Sequence, residues 1–225
     1  MAKFGLLGNK YWILRHGKSI PNEKGLIVCS LENWVLPEYQ LADEGVNQAR
    51  SAGESFQKVL KEINIPIENV RICFSPFSRT RHTAQVAASV LNISVEGSQC
   101  KVMEELRERF IGPSFELQSH ERYAEIWDHD EKGPLMKPEE GGESVADVAS
   151  RLATAVETID KDFQGCAVLI VSHGDPLQIL QTIIGATEKA PGEDFRTRVD
   201  AVKVASILSQ HRKFALHTGE LRQLV

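Results

Sequence analysis

The sequence predicts an α/β fold with a largely parallel sheet, and three observations carry that expectation. Short apolar runs of β-forming residues alternate with longer stretches of helical periodicity. One run, Ala167-Val168-Leu169-Ile170-Val171, is apolar throughout, as in a strand covered on both faces. The 225 residues are 42% hydrophobic and 25% charged, an ordinary globular balance in a chain long enough for an unaided core. A single domain over 1–225 is expected, with a lid or insertion at about 110–142.

Taken in order, Tyr11-Trp12-Ile13-Leu14 reads as the first strand. Val46, Ala49, Gly53, Phe56, Leu60 and Ile63 then recur at helical spacing. Val70 to Phe74 is a second strand, stopped by Ser75-Pro76, and Thr80 to Leu91 a helix. Cys100 to Met103 is a weaker strand. The stretch from about 110 to 142 is polar, holds Gly112-Pro113, Gly133-Pro134, Pro138 and Gly141-Gly142, and is expected to cross over the sheet. Val145, Val148, Leu152, Val156, Ile159 and Phe163 define a helix opened by a capping box of Ser144 and Asp147. The strongest strand follows, then a helix from Pro176 to Ile184. Ser206 to Ser209 and Phe214 to His217 are weak strand candidates in the tail.

Composition excludes several classes of function. Acidic residues exceed basic ones by five, the pI is near 5.8, and no basic stripe stands out. Neither nucleic acid nor an anionic membrane surface is an expected partner. No run approaches the roughly 18 apolar residues of a membrane span. The N-terminal stretch from Met1 to Ser19 lacks a secretory pattern, so a cytoplasmic location is expected. Cys29, Cys73, Cys100 and Cys166 form no CxxC pair and are expected as reduced thiols.

In α/β folds ligands bind beyond the carboxyl ends of strands. Here those positions carry Arg15-His16-Gly17, then Ser75-Pro76-Phe77-Ser78-Arg79, then Glu104 to Arg109, then Ser172-His173-Gly174-Asp175. A lone strand-end histidine is an ordinary capped edge residue. Two histidines and two arginines at the ends of buried strands suggest convergence on one ligand. Arginine does not ligate metal, and no HxxH or HExxH spacing exists, so no metal is expected. A dianionic phosphoryl group fits the planar, permanently charged guanidinium, and histidine can act as a covalent nucleophile. Gly17 and Gly174 would let the backbone approach the ligand closely.

Arg15-His16-Gly17, Ser75 to Ala84 (SPFSRTRHTA), the Glu108 segment and Ser172-His173-Gly174, in that order, resemble the histidine phosphatase superfamily, in its phosphoglycerate-mutase-like branch. Asn22, Leu41 to Gly45 and Gly142-Glu143-Ser144 add to the match, which covers about residues 11 to 185. The resemblance implies a three-layer fold, a mostly parallel central sheet flanked by helices. It implies His16 as the nucleophile that becomes phosphohistidine. It gives Arg15 and Arg79 as clamps on the phosphoryl oxygens, with Asn22 as an auxiliary donor. His173 would hold the same group and stabilise charge. Glu108 takes the place of the general acid and base. A distant branch draws its acid from just after the second histidine, which makes Asp175 the alternative acid. No cofactor is implied, and the expected partner is a small phosphorylated substrate.

The pattern departs from the mutases it resembles. Those carry a longer insertion after the glutamate, with adjacent arginines for a carboxylate. Between Arg109 and Ser172 this chain has only the separate Arg122 and Arg151, an acidic run Pro138-Glu139-Glu140, and Ile111 where the mutases have tyrosine. A metal-independent phosphatase is therefore expected. A cofactor-dependent phosphoglycerate-mutase-type phosphotransferase is the alternative, and a non-catalytic phospho-ligand or protein-binding module a second. Glu104, Glu105, Arg81, His82, His120, His129, His211 and His217 are expected at or near the surface. No motif speaks to oligomeric state.

Overall fold

Among the described residues, five strands form one sheet in the order β3-β2-β4-β1-β5. They are β1 (Lys10–Arg15), β2 (Val70–Phe74), β3 (Cys100–Val102), β4 (Ala167–Ser172) and β5 (Leu221–Gln223). The first four are mutually parallel, and β5 runs antiparallel along β1. This is a computed structural model, and it describes residues 7–139 and 141–224. Residues 1–6 of the N-terminal stretch and Glu140 of the acidic run lie outside them.

Period-two alternation builds a core on each face of the sheet. Trp12, Leu14, Ile72, Phe74 and Leu169 face one way, onto α2 (Asp43–Glu62) and α3 (Ser78–Val90). Tyr11, Ile13, Cys73, Val168 and Ile170 face the other, onto α5 (Val145–Asp162) and α6 (Gly174–Thr187). All six residues of β4 are buried, as its apolar run requires. The capping box of α5 is present: Asp147 N donates to Ser144 Oγ, and Ser144 N to Asp147 Oδ2. All four cysteines are free thiols.

The polar stretch after residue 110 holds a helix that its composition concealed. It runs through two 3-10 turns, Pro113–Phe115 and His120–Arg122, into a helix Tyr123–Lys132, α4 after the short α1 (Ile20–Lys24). Its own small core joins Ile111, Phe115 and Ile126 to Ile27 and Cys29. Backbone bonds from Leu117 N to Ile27 O and from Ile27 N to Gln118 O tie it to the first loop.

The tail departs from both weak strand expectations. Ser206 to Ser209 lies mostly in a helix, α8 (Ala205–Leu208), after α7 (Phe195–Val202); Ile207 N and Leu208 N bond back to Val204 O. Phe214 closes a 3-10 turn (His211–Phe214), and Ala215 to His217 continues as open chain. The free edge of β1 is taken instead by β5, and the Leu216 carbonyl accepts from Arg15 Nη1.

Candidate active site

The parallel register gathers the candidate residues at one end of the sheet. Arg15 pairs with Ser172, and Phe74 with Val171, so the residues just past the three strands emerge side by side. His16 N bonds Ser172 O, and Ser75 N bonds Val171 O. The His16 and His173 ring centres lie 5.3 Å apart, edge to face. Arg79 enters from the first turn of α3, where Thr83 accepts from Gly17 N and donates to Arg79 O. Gly17 serves a backbone crossing and not, as expected, an approach to the ligand. A side chain on Gly17 would meet Gly45 O at 2.3 Å, and one on Gly45 would meet Lys18 O at 2.0 Å. The glycines let the loop cross the start of α2 backbone to backbone. Gly174 lies under the Arg15 guanidinium, 3.3 Å from where a Cβ would sit.

The His16 ring is buried and its tautomer is set. Nδ1 lies 2.8 Å from Gly17 O, an acceptor, so that nitrogen carries the proton. Nε2 then keeps its lone pair, which accepts from Arg79 Nε at 3.2 Å. Burial, with Arg79 and Arg15 adding to it, pushes the His16 pKa well below the ordinary value, so the ring is neutral. His173 is fully buried and neutral for the same first reason, burial, followed by the charge of Arg79. Its Nε2 lies 2.8 Å from Ser75 Oγ, which also accepts from Phe77 N. With the Ser75 hydroxyl donating, His173 Nδ1 becomes a donor.

Three of the buried side-chain nitrogens that lack a hydrogen-bond partner belong to the strand-end residues: Arg15 Nε, Arg79 Nη1 and His173 Nδ1. Buried polar atoms are paired in most proteins, so such a cluster marks a place where an anion fits. Asn22 completes the wall. Its Oδ1 accepts from Ser19 N and Ser19 Oγ in the capping box of α1, leaving its amide Nδ2 to donate.

Glu108 and Asp175 are held differently. Glu108 Oε2 lies 3.4 Å from Arg79 Nη2 and 3.5 Å from His173 Nδ1, and Oε1 accepts from Arg109 N. Burial raises its pKa, against the pull of Arg79 and with help from the charge of Asp175. Asp175 is opposed by burial too, but Arg109 at 3.1 Å and His211 at 3.2 Å outweigh it and hold its carboxyl far below the usual range. Arg109 also forks onto Asp130 of α4 at 2.6 and 2.8 Å. His211, expected at the surface, is 1% exposed at the centre of this cluster, so that expectation is overturned by its carboxylate partners. Asp130, Asp175 and His211 could geometrically hold an ion. The Arg109 guanidinium already supplies the positive charge between the two carboxylates.

Arg15, His16, Asn22, Arg79, Glu108, Arg109 and Asp175 line one cavity of about 430 Å³, with His173, Asp130 and His211 behind its wall. Its inner end is His16 with Arg15, Arg79 and Glu108. Its outer end is built by the exposed Trp127 of α4 and by Arg212 and Ala215 of the tail, while Tyr123 lies close to Glu108 and Leu216 beside Arg15. His120, expected at the surface and exposed there, also lines it. The outer residues carried no motif in the sequence, because only folding brings α4 and the tail together.

The histidine phosphatase superfamily (branch 1) is the family whose pattern matches residues 11–220. A 2,3-bisphosphoglycerate-dependent phosphoglycerate mutase from Methylorubrum extorquens is 28% identical over 183 residues, 79% of this chain and 80% of the mutase. A mycobacterial glucosyl-3-phosphoglycerate phosphatase, solved with VO3, superposes with a TM-score of 0.66 at 20% identity, over 95% of this chain and 90% of that one. A phosphoserine phosphatase from Entamoeba histolytica, with 3-phosphoglyceric acid, gives 0.65 at 19% identity, over 95% and 88%. Both solved structures share the fold.

Proposed function

The chain belongs to the histidine phosphatase superfamily, and from that premise we propose that it hydrolyses phosphate monoesters through a phosphohistidine on His16, without a metal. The observation that carries this is the three unpartnered nitrogens, of Arg15, Arg79 and His173, beside a neutral His16 whose unprotonated Nε2 faces the Arg79 guanidinium, from which it accepts. The donors suit the three equatorial oxygens of a phosphoryl group in transfer, with Asn22 adding a fourth contact.

In the first step His16 Nε2 attacks phosphorus and the bond to the ester oxygen breaks. The departing alkoxide takes a proton from Glu108, whose burial raises its pKa above the ordinary carboxylate value and so favours the protonated form. In the second step the Glu108 carboxylate takes a proton from water, the hydroxide attacks phosphorus, and the P–N bond breaks. Inorganic phosphate leaves and His16 returns to its neutral tautomer. Asp175 is a poor candidate for the acid, since Arg109 and His211 favour its ionised form.

The relationship to the Methylorubrum mutase keeps phosphotransfer to a bound phosphoglycerate as the second reading. Against it, the arginine beside Glu108 is committed to Asp130 and Asp175. The test is phosphate release from a panel of monoesters by wild type and His16→Ala, in EDTA, alongside interconversion of 3- and 2-phosphoglycerate. We expect release, insensitive to EDTA, that falls at least about 10⁴-fold in His16→Ala. Isomerisation without release would establish the mutase. Binding without turnover of any panel member would leave a phospho-ligand module.

A further inference from the structure

The inner end of the cavity accounts for a phosphoryl group and leaves the outer end unexplained. At about 430 Å³ the whole space falls in the range of sites for drug-sized ligands, well beyond what a three-carbon acid fills. Its outer wall has a specific chemistry. Tyr123 and Trp127, one helical turn apart on α4, stand nearly parallel, with ring centres 6.2 Å apart and an interplanar angle of 11°. The Arg212 guanidinium of the tail lies 3.7 Å from the centre of the Trp127 ring and pairs with no carboxylate among the described residues. Leu26, Ile126 and Leu216 add apolar surface. Trp127 remains 39% exposed, although an indole this size gains much from burial.

A wall of parallel rings with a planar cation laid on it favours flat, electron-rich surfaces over saturated or strongly hydrated ones. We propose that the outer half is a subsite for an aromatic ring, and that preferred substrates are phosphate monoesters carrying such a ring at or one carbon from the ester oxygen. This rests on the hydrolase reading of the inner half. Three-carbon hydroxy-acid phosphates would leave the wall uncovered.

The test must separate ring recognition from leaving-group reactivity and from catalysis itself. Benzyl and cyclohexylmethyl phosphate have alcohols of similar basicity and size but differ in flatness. Their unreactive counterparts, benzylphosphonate and cyclohexylmethylphosphonate, report binding alone. We expect calorimetry to show benzylphosphonate binding at least about tenfold tighter, the scale of one stacked ring. The same ratio is expected in kcat/KM for the two esters. In Trp127→Ala the ratio should fall below about threefold, and Trp127→Phe should restore most of it. Equal affinity of wild type for the two phosphonates, or a preference that survives Trp127→Ala, would overturn the subsite whether or not the esters are hydrolysed. Ring-selective binding with no phosphate release from either ester would overturn the hydrolase reading and leave the subsite standing.

Discussion

Two carboxylates face one cavity, and their surroundings shift their pKa values in opposite directions. Glu108 is raised chiefly by burial, and Asp175 is lowered by Arg109 and His211 against its own burial. The separation sorts acid from spectator, and it gives two expectations at the residue scale. Glu108→Gln should lose far more activity on alkyl phosphates than on aryl phosphates, whose leaving groups need little protonation. Steady-state rates on both ester types measure it, and equal losses would point to another acid. The charge of Asp175 also helps raise Glu108. Asp175→Asn should therefore lower the Glu108 pKa and move the alkaline limb of the kcat/KM profile to lower pH. A profile unchanged in position would show that burial alone tunes Glu108.

At the scale of elements, helix α4 is fastened to the rest of the molecule by a buried ion cluster as well as by packing. Arg109, 1% exposed, binds Asp130 of α4 and Asp175 at the start of α6. Removing the cation leaves two carboxylates in a poorly solvated place, which in comparable sites costs about 3–5 kcal/mol. Arg109→Met should lower stability by about that amount in urea unfolding, and a loss below about 1 kcal/mol would mean that water or rearrangement satisfies the acids. This cluster also marks where the sequence stops being legible. The strands, the helices on both faces and the residues at the strand ends declare themselves locally, through period, cap and abrupt change of polarity. His211 and Asp130 sit in polar stretches whose partners in the cluster lie 21 or more residues away, so no local pattern distinguishes them from solvated surface. Helix α4 is similar: only Ile126 and Asp130 of its ten residues are buried, so it shows no apolar stripe. In the tail, four-residue segments holding only two or three apolar residues fit strand and helix equally. The outcome was decided by β5 taking the edge of β1 and by Arg15 claiming the Leu216 carbonyl.

For the whole molecule, that same cluster joins four distant parts of the chain and balances only when His211 is charged. Arg109 and protonated His211 then offer two positive charges to Asp130 and Asp175. Burial disfavours the imidazolium, but the Asp175 carboxylate 3.2 Å away outweighs it and raises the His211 pKa above its ordinary 6.5. A histidine whose folded pKa is raised stabilises the fold fully below the unfolded value, and that contribution is lost as pH rises through the folded value. His16 and His173 act in the opposite sense. Their folded pKa values are depressed, so they resist the protonation that the unfolded chain accepts, and their contribution is lost as pH falls below about 6.5. With two such groups against one, the empty protein should lose stability on acidification from neutrality, and His211 should blunt that loss. The test is the melting temperature of wild type and His211→Gln at about pH 5.5 and about pH 9. The deficit of the variant should be larger at the acidic pH, by roughly 2–4 °C for each kcal/mol of lost pairing. A deficit that does not change with pH would mean that His211 serves as a packed neutral ring, leaving Arg109 as the sole cation between Asp130 and Asp175.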